Sequence, residues 1–286
     1  MPLKKGDEVV LSKYDYPHMK FAWQQREKRD GIKLKWVNYE TPSADGDYLY
    51  SQYDAQISDK TKIVCITHIT NWNGQVLPIK RIAERAKEKG AEVLIDAAHS
   101  LGQRPLNIEQ LPIDYLASSL HKWLGAPFGT GVLYVREDKR ANLFPLMAGP
   151  NPKSKNIAKF EHNGTKSVAL ERAIIPALVF HNSIGTERKM KRLLKLKSYV
   201  VDRIQKMPHV QILSPVDKEF GSVILLFKIK GMENEKVITS LFKNWKIHCT
   251  GSENESLSGV RISPNIYTQL SELDTFVEAI NSFSNI

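Results

Sequence analysis

The chain is short of cysteine. Cys65 and Cys249 are its two thiols in 286 residues. That is too few for a disulfide framework, and their spacing is not that of metal ligands. No apolar run approaches the length of a membrane span, so no transmembrane helix is expected. The N-terminal MPLKKGDEVVLS carries lysines but no apolar segment of signal-peptide length behind them. This form of the chain therefore reads as cytoplasmic, and any export signal would precede Met1. Internal repeats and low-complexity tracts are also lacking.

What is plentiful is positive charge, with 41 Lys and Arg against 31 Asp and Glu and a formal net charge of +10. The basic residues are scattered, without aromatic interleaving or a nucleic-acid motif, so a nucleic-acid partner is not expected. The densest run, ERKMKRLLKLK at residues 187–197, carries Met190, Leu193, Leu194 and Leu196. It reads as an amphipathic helix with a solvated basic face. Positive potential would also favour an anionic cofactor and substrate.

Length and composition suit a globular chain of two domains, with 42% hydrophobic and 25% charged residues. Strand and helix signals alternate through the first half. Strands are expected at EVVLS (8–12), KLKWVNY (33–39), KIVCIT (62–67), EVLID (92–96), DYLASS (114–119) and GVLYV (131–135). Helices are expected at 17–30, opened by Pro17 and stopped by Gly31, and at 77–89, closed by Gly90. Segment 41–59, with Pro42, Gly46 and several Asp and Ser, starts as a loop. The alternation argues for an α/β fold, a mainly parallel sheet covered by helices. A Pro, Gly, Lys and Asn-rich connection at 145–167 marks the expected boundary, giving domains 1–150 and 151–286. A long helical region (168–207) follows. Beyond it come strands at VQIL, SVILLFKI, KIHCT and GVRIS, and helices at 233–245 and 270–283, an α+β unit.

Strand ends in the first half deliver chemically useful residues. Tyr14, Asp15, Tyr16 and His18 follow the first, and His68 and Asn71 follow KIVCIT. Asp96 and His99 follow EVLI, and Ser119, His121 and Lys122 close DYLASS. One polar residue at a strand end means little, but their recurrence on one edge of a parallel sheet converges them on one crevice. An Asp and a Lys presented there suit pyridoxal 5'-phosphate chemistry. The lysine forms an imine with the cofactor aldehyde, and the acid keeps the pyridine nitrogen protonated. Lys122 lies between His121 and Trp123, just before a glycine-rich turn that lets backbone approach a ligand. Partial desolvation there would make its amine a usable nucleophile and base. Local roles compete: Asp96 also suits a helix N-cap, His99 a structural hydrogen bond, and Ser119 and His121 loop capping.

The motifs DAAHS, SSLHKW and GTGVLYV, with THITNWNGQVLPIK upstream and KFEHNGT and GVRISPNIYT downstream, resemble the class V aminotransferase family. That family comprises fold-type-I pyridoxal phosphate enzymes, isopenicillin N epimerase-like proteins and cysteine desulfurases among them. The resemblance implies a three-layer large domain with a smaller α+β C-terminal domain. It implies a Schiff base at Lys122, Asp96 on the pyridine nitrogen, and His99 and Asn71 towards the phenolic oxygen. Ser119 and His121 would hold the phosphate and Tyr16 would stack on the ring. Thr165 would reach the phosphate of a neighbouring subunit, which implies a homodimer. Arg261 would grip the carboxylate of an amino-acid substrate.

The resemblance also has departures. Relatives hold the cofactor phosphate at a helix N-terminus that would precede Met1. Cys249, the only candidate for a desulfurase nucleophile, sits in a strand-like segment and reads as a buried thiol. The expected activity is therefore aminotransferase class V or epimerase-like. A desulfurase-like lyase and a fold-type-I scaffold without catalysis are the alternatives.

Overall fold

The computed structural model describes residues 1–161, 164–165 and 167–285. The chain folds as two compact units. The first comprises Met1–Asn38, Tyr48–His68 and Pro78–Ser183; the second comprises Tyr39–Asp47, Ile69–Leu77 and Ile184–Ile286. The second unit thus takes in two short segments from the first half of the chain, and its main part begins at Ile184.

In the first unit the described strands β1 (Glu8–Ser12), β2 (Lys33–Val37), β3 (Thr61–Thr67), β4 (Glu92–Asp96), β5 (Tyr115–Ser119) and β6 (Gly131–Val135) form one sheet. Its order is β2-β1-β3-β4-β5-β6. Every pairing is parallel except the antiparallel β5–β6 edge. Central strands of such a sheet are covered on both faces and read as continuous apolar runs. Accordingly Val9, Val10, Leu11, Ile63, Val64, Val93 and Ile95 are fully or almost fully buried. Parallel pairing puts Ser12, Thr67, Asp96 and Ser119 at one edge of the sheet.

The helices obey their punctuation. Helix α1 (Pro17–Asp30) starts at Pro17 and ends where Gly31, at φ 70°, donates its N–H to the Glu27 carbonyl. The segment from Thr41 does start as a loop, and a second helix, α2 (Gly46–Asp54), follows within it, with Leu49 and Tyr53 buried four residues apart. Helix α3 (Ile79–Glu88) buries the stripe Ile79, Ile82, Ala83 and Ala86. The long helical region is interrupted, as α4 (Ala169–Arg172), α5 (Ile174–Ile184) and α6 (Thr186–Ile204), with Gly185 at φ 84° before α6.

The second unit contains a sheet of β7 (Val210–Ile212), β8 (Leu225–Ile229), β9 (Thr250–Glu253) and β10 (Ser258–Ile262), ordered β7-β8-β10-β9 and wholly antiparallel. Leu196, Val200 and Ile204 of α6, Val237 and Leu241 of α7 (Asn234–Trp245), and Phe276 and Ile280 of α8 (Leu270–Asn281) pack into its core. Two expectations fail here. KIHCT is not a strand: Lys246 caps α7 in the left-handed region at φ 57°, and only Thr250 enters β9. Nor is the basic run wholly solvated, since Lys189 and Lys197 are buried on α6. The Lys197 ammonium donates to the Pro215 carbonyl at 2.6 Å, and burial pushes its pKa down to about 7.

Candidate active site

The carboxyl edge of the large sheet carries the site's ionisable groups. Asp96 ends β4, and its Oδ1 accepts the Ala98 N–H at 2.9 Å. Turns follow it, not the helix that an N-cap role would need. Burial raises the Asp96 pKa, while the Ala98 N–H and the Lys122 charge oppose the shift. The ends of β4 and β5 are tied by the Ser118 hydroxyl, which donates to the Ala97 carbonyl at 3.1 Å.

Lys122 sits in the turn after β5. Leu120, Leu124 and Ala126 flank it and are packed against Leu101, Ile174 and Ala177. Its Nζ lies 3.2 Å from His99 Nε2 and 5.8 Å from the centre of the Tyr16 ring. The Trp123 indole N–H donates to His99 Nδ1 at 3.2 Å. Gly102, at φ 79°, allows this closeness: a Cβ there would lie 2.7 Å from the Leu124 nitrogen. The same edge thus assembles an amine, an acid, an imidazole and an aromatic face. His121 flanks the lysine, its ring 5.4 Å from that of Phe128, and its Nδ1 is buried without a hydrogen-bond partner. Such an atom suits a bound acceptor like a phosphate oxygen. Ser119, at the end of β5, is half-buried. Thr165 is exposed, and His162 and Asn163 of its motif lie outside the described residues.

Two neighbours extend this edge. Asp15 is buried; its Oδ2 accepts the Ser12 N–H at 2.9 Å and its Oδ1 the Thr67 hydroxyl at 2.7 Å. Burial pushes its pKa up to about 7, with Asp96 adding to the rise and the two hydrogen bonds opposing it. His68 is pushed down to about 3 by burial and by the charge of Arg104, so it stays neutral.

In the second unit, Asn71 and Arg261 meet. Arg261 lies on β10 opposite Leu226, and its guanidinium donates to the Asn71 carbonyl at 2.5 Å. Burial lowers the Arg261 pKa, yet guanidinium remains charged. The loop carrying Asn71 is fixed by Gln75, which accepts from the Thr41 hydroxyl and the Ser43 N–H and donates to the Ser43 and Phe220 carbonyls. The Asn71 side-chain oxygen is buried without a partner.

The sequence points to Tyr16, Asp15, His68, Asn71, Asp96, His99, Ser119, His121, Lys122 and Arg261, but not to the supporting Ser12, Thr67, Gly102, Arg104 and Ser118, the Trp123–His99 contact or the Gln75 hub. Trp123 was marked only as a neighbour of Lys122. The donor-only indole beside HK is the signal that would have found it.

The aminotransferase class-V family profile matches residues 1–276. Over 299 residues the chain is 24% identical to an isopenicillin N epimerase from Amycolatopsis lactamdurans, covering 99% of this chain and 75% of that protein. It is 27% identical to a cysteine desulfurase from Haloferax volcanii, covering 98% of this chain and 68% of the other. The apo structure of a cysteine desulfurase from Thermococcus onnurineus superposes with a TM-score of 0.89 at 22% identity, over 99% of this chain and 74% of that one. This likeness establishes the fold-type-I architecture.

Proposed function

The chain belongs to the aminotransferase class-V family, and we propose that it is a pyridoxal 5'-phosphate-dependent enzyme acting on an amino acid, with Lys122 as the covalent attachment point. The observation that carries this reading is the Lys122 amine held 3.2 Å from His99 and over the Tyr16 ring. When bound, the cofactor supplies an electron sink for negative charge at the substrate α-carbon. Asp96 holds the proton of the pyridine nitrogen, and its raised pKa suits a shared proton. Tyr16 gives the ring a stacking face. Ser119 and His121 bind the phosphate. His99 serves the phenolic oxygen. The Lys122 amine would also serve as the base that moves the substrate α-proton. Arg261 binds the substrate carboxylate: the Asn71 carbonyl fixes one arm of the guanidinium, and the remaining donors of the planar fork suit a carboxylate.

Among the branches of the family we favour the epimerase-like one over the desulfurases. A desulfurase needs an accessible thiolate. Cys65 and Cys249 are both buried, and burial pushes the Cys249 thiol up to about 11.

We also propose a homodimer. Phe128, Phe144, Leu146, Met147, Val179 and Phe180 of the first unit are exposed, Leu146 completely. Such apolar surface suits coverage by a second copy, to which the exposed Thr165 would be available. Sedimentation as a monomer at micromolar concentration would remove this part.

The test of the activity is spectroscopic. The chain purified with pyridoxal 5'-phosphate should show a visible absorption band that borohydride fixes to the Lys122 peptide, and Lys122→Ala should abolish both. A well-folded wild-type chain that takes up no cofactor would instead support the non-catalytic scaffold.

A further inference from the structure

We infer that Trp123 is a positioning residue for Lys122, acting through His99. The indole N–H fixes the imidazole as the tautomer that carries its proton on Nε2 and aims that proton at the lysine nitrogen. The inference deepens the proposed function and rests on Lys122 being the attachment point.

An indole nitrogen donates and cannot accept. Trp123 Nε1 lies 3.2 Å from His99 Nδ1, so Nδ1 must present a lone pair. A neutral imidazole with a bare Nδ1 bears its single proton on Nε2. That nitrogen lies 3.2 Å from Lys122 Nζ. An Nε2–H donor pairs well with the lone pair of a neutral amine and badly with an ammonium, which has only protons to offer. The opposite tautomer would set N–H against the indole N–H, and an imidazolium would oppose the indole in the same way. The arrangement therefore favours the lone-pair form of the Lys122 amine, the form that a nucleophile requires, against the charged form that Asp96 favours.

The backbone enforces the contact. Trp123 is buried, and its ring meets that of His99 edge-on at 6.3 Å and 62°. The turn from His99 to Gly102 is pressed against residues 123 and 124, where only a glycine leaves room. Leu101 and Leu124 belong to one apolar cluster on the same two segments. A misplaced indole would have to disturb all three features.

The experiment is long-range 1H–15N NMR of the full chain labelled with 15N-histidine and freed of cofactor, with the His99 signals assigned by His99→Gln. The wild type should show His99 as the Nε2–H tautomer at neutral pH. In Trp123→Phe, which keeps a ring but loses the donor, that exclusive pattern should be lost. Acetylation of Lys122 by acetic anhydride at the same pH, read by peptide mass spectrometry, should slow several-fold. A wild-type His99 protonated on Nδ1 would overturn the inference, as would a folded Trp123→Phe with the tautomer unchanged. If Trp123→Phe does not fold, the wild-type spectrum alone decides. Neither measurement uses the cofactor, so failure here is distinguishable from failure of the Lys122 assignment.

Discussion

The two edges of the six-stranded sheet treat buried charge in opposite ways. At the edge where β4 and β5 begin and the antiparallel β6 ends, charges are paired. Asp114 is fully buried, accepts the Val93 N–H at 2.7 Å, and faces both Lys87 and Arg136. Glu92 accepts from Lys139 and from the Tyr115 hydroxyl, each at 2.8 Å. At the edge where the parallel strands end, the donors to Asp15 among the described residues are a backbone N–H and a hydroxyl, and its pKa climbs to about 7. Asp96 is likewise shifted upward. Paired carboxylates hold a fold together. Carboxyls buried with only neutral donors are costly to ionise, and they persist where a ligand makes use of them.

The largest effect that would sharpen this contrast belongs to Asp96. Asp96→Asn should lower kcat by about 10²-fold or more, the cost of losing one electrostatic stabiliser, with the denaturation midpoint little changed. Steady-state kinetics on a racemisable or transaminatable amino acid would measure it. An Asn variant with full activity would remove the functional meaning of this edge.

Asp15 comes next. Its carboxyl ordinarily ionises at 3.8 and here at about 7, so the folded chain holds that proton more tightly than the unfolded one. Its contribution to stability is complete below 3.8 and declines as pH rises through about 7. The span is worth on the order of 4 kcal/mol. In Asp15→Asn the amide can accept from Ser12 and donate to Thr67, so the decline should flatten. Urea midpoints from pH 5 to pH 8 check it, and parallel pH profiles in both proteins would show that Asp15 does not titrate in this range.

At the paired edge the expectation is different in kind. Asp114→Ala removes the acceptor of the Val93 N–H and the partner of two cations, but Lys87 and Arg136 both reach solvent and can rehydrate. The cost should be about 2–3 kcal/mol in urea denaturation, with the visible cofactor band unchanged. A lost band would mean that the paired edge also serves the site.

The strands behind both edges, and the residues at their carboxyl ends, were legible because strands and strand ends follow simple rules; the ion pairs of Asp114 and Glu92 were not. EVVLS, KIVCIT and EVLID are bounded apolar runs, and Pro17 and Gly31 delimit α1. What stayed hidden depends on distance along the chain. Helix α2 buries only Leu49 and Tyr53 among Gly, Asp and Ser, too thin a stripe to outweigh loop chemistry. The Asn71 loop joins the second unit through bonds from Gln75 to residues 34 and 145 positions away. The burial of Lys197 follows from a carbonyl 18 positions on, and the Trp123–His99 bond spans 24. No local pattern encodes any of these.

The smallest expected effect tests whether burial, and not mere pairing, distinguishes the two edges. Asp138 pairs with Arg136 at 2.6 Å, and this hydrogen bond pulls its carboxyl down to about 2. The stabilisation from this pairing is present above 3.8 and lost as pH falls through about 2. Yet the two side chains are 39% and 58% exposed, so water and salt screen the pair. Asp138→Asn should therefore cost less than about 1 kcal/mol and still less at high ionic strength. Urea midpoints at low and high salt measure this. If Asp138→Asn proved as costly as Asp114→Ala, the stability of the paired edge would reside in its exposed ions. The contrast with Asp15 and Asp96 would then reduce to how many cations lie nearby.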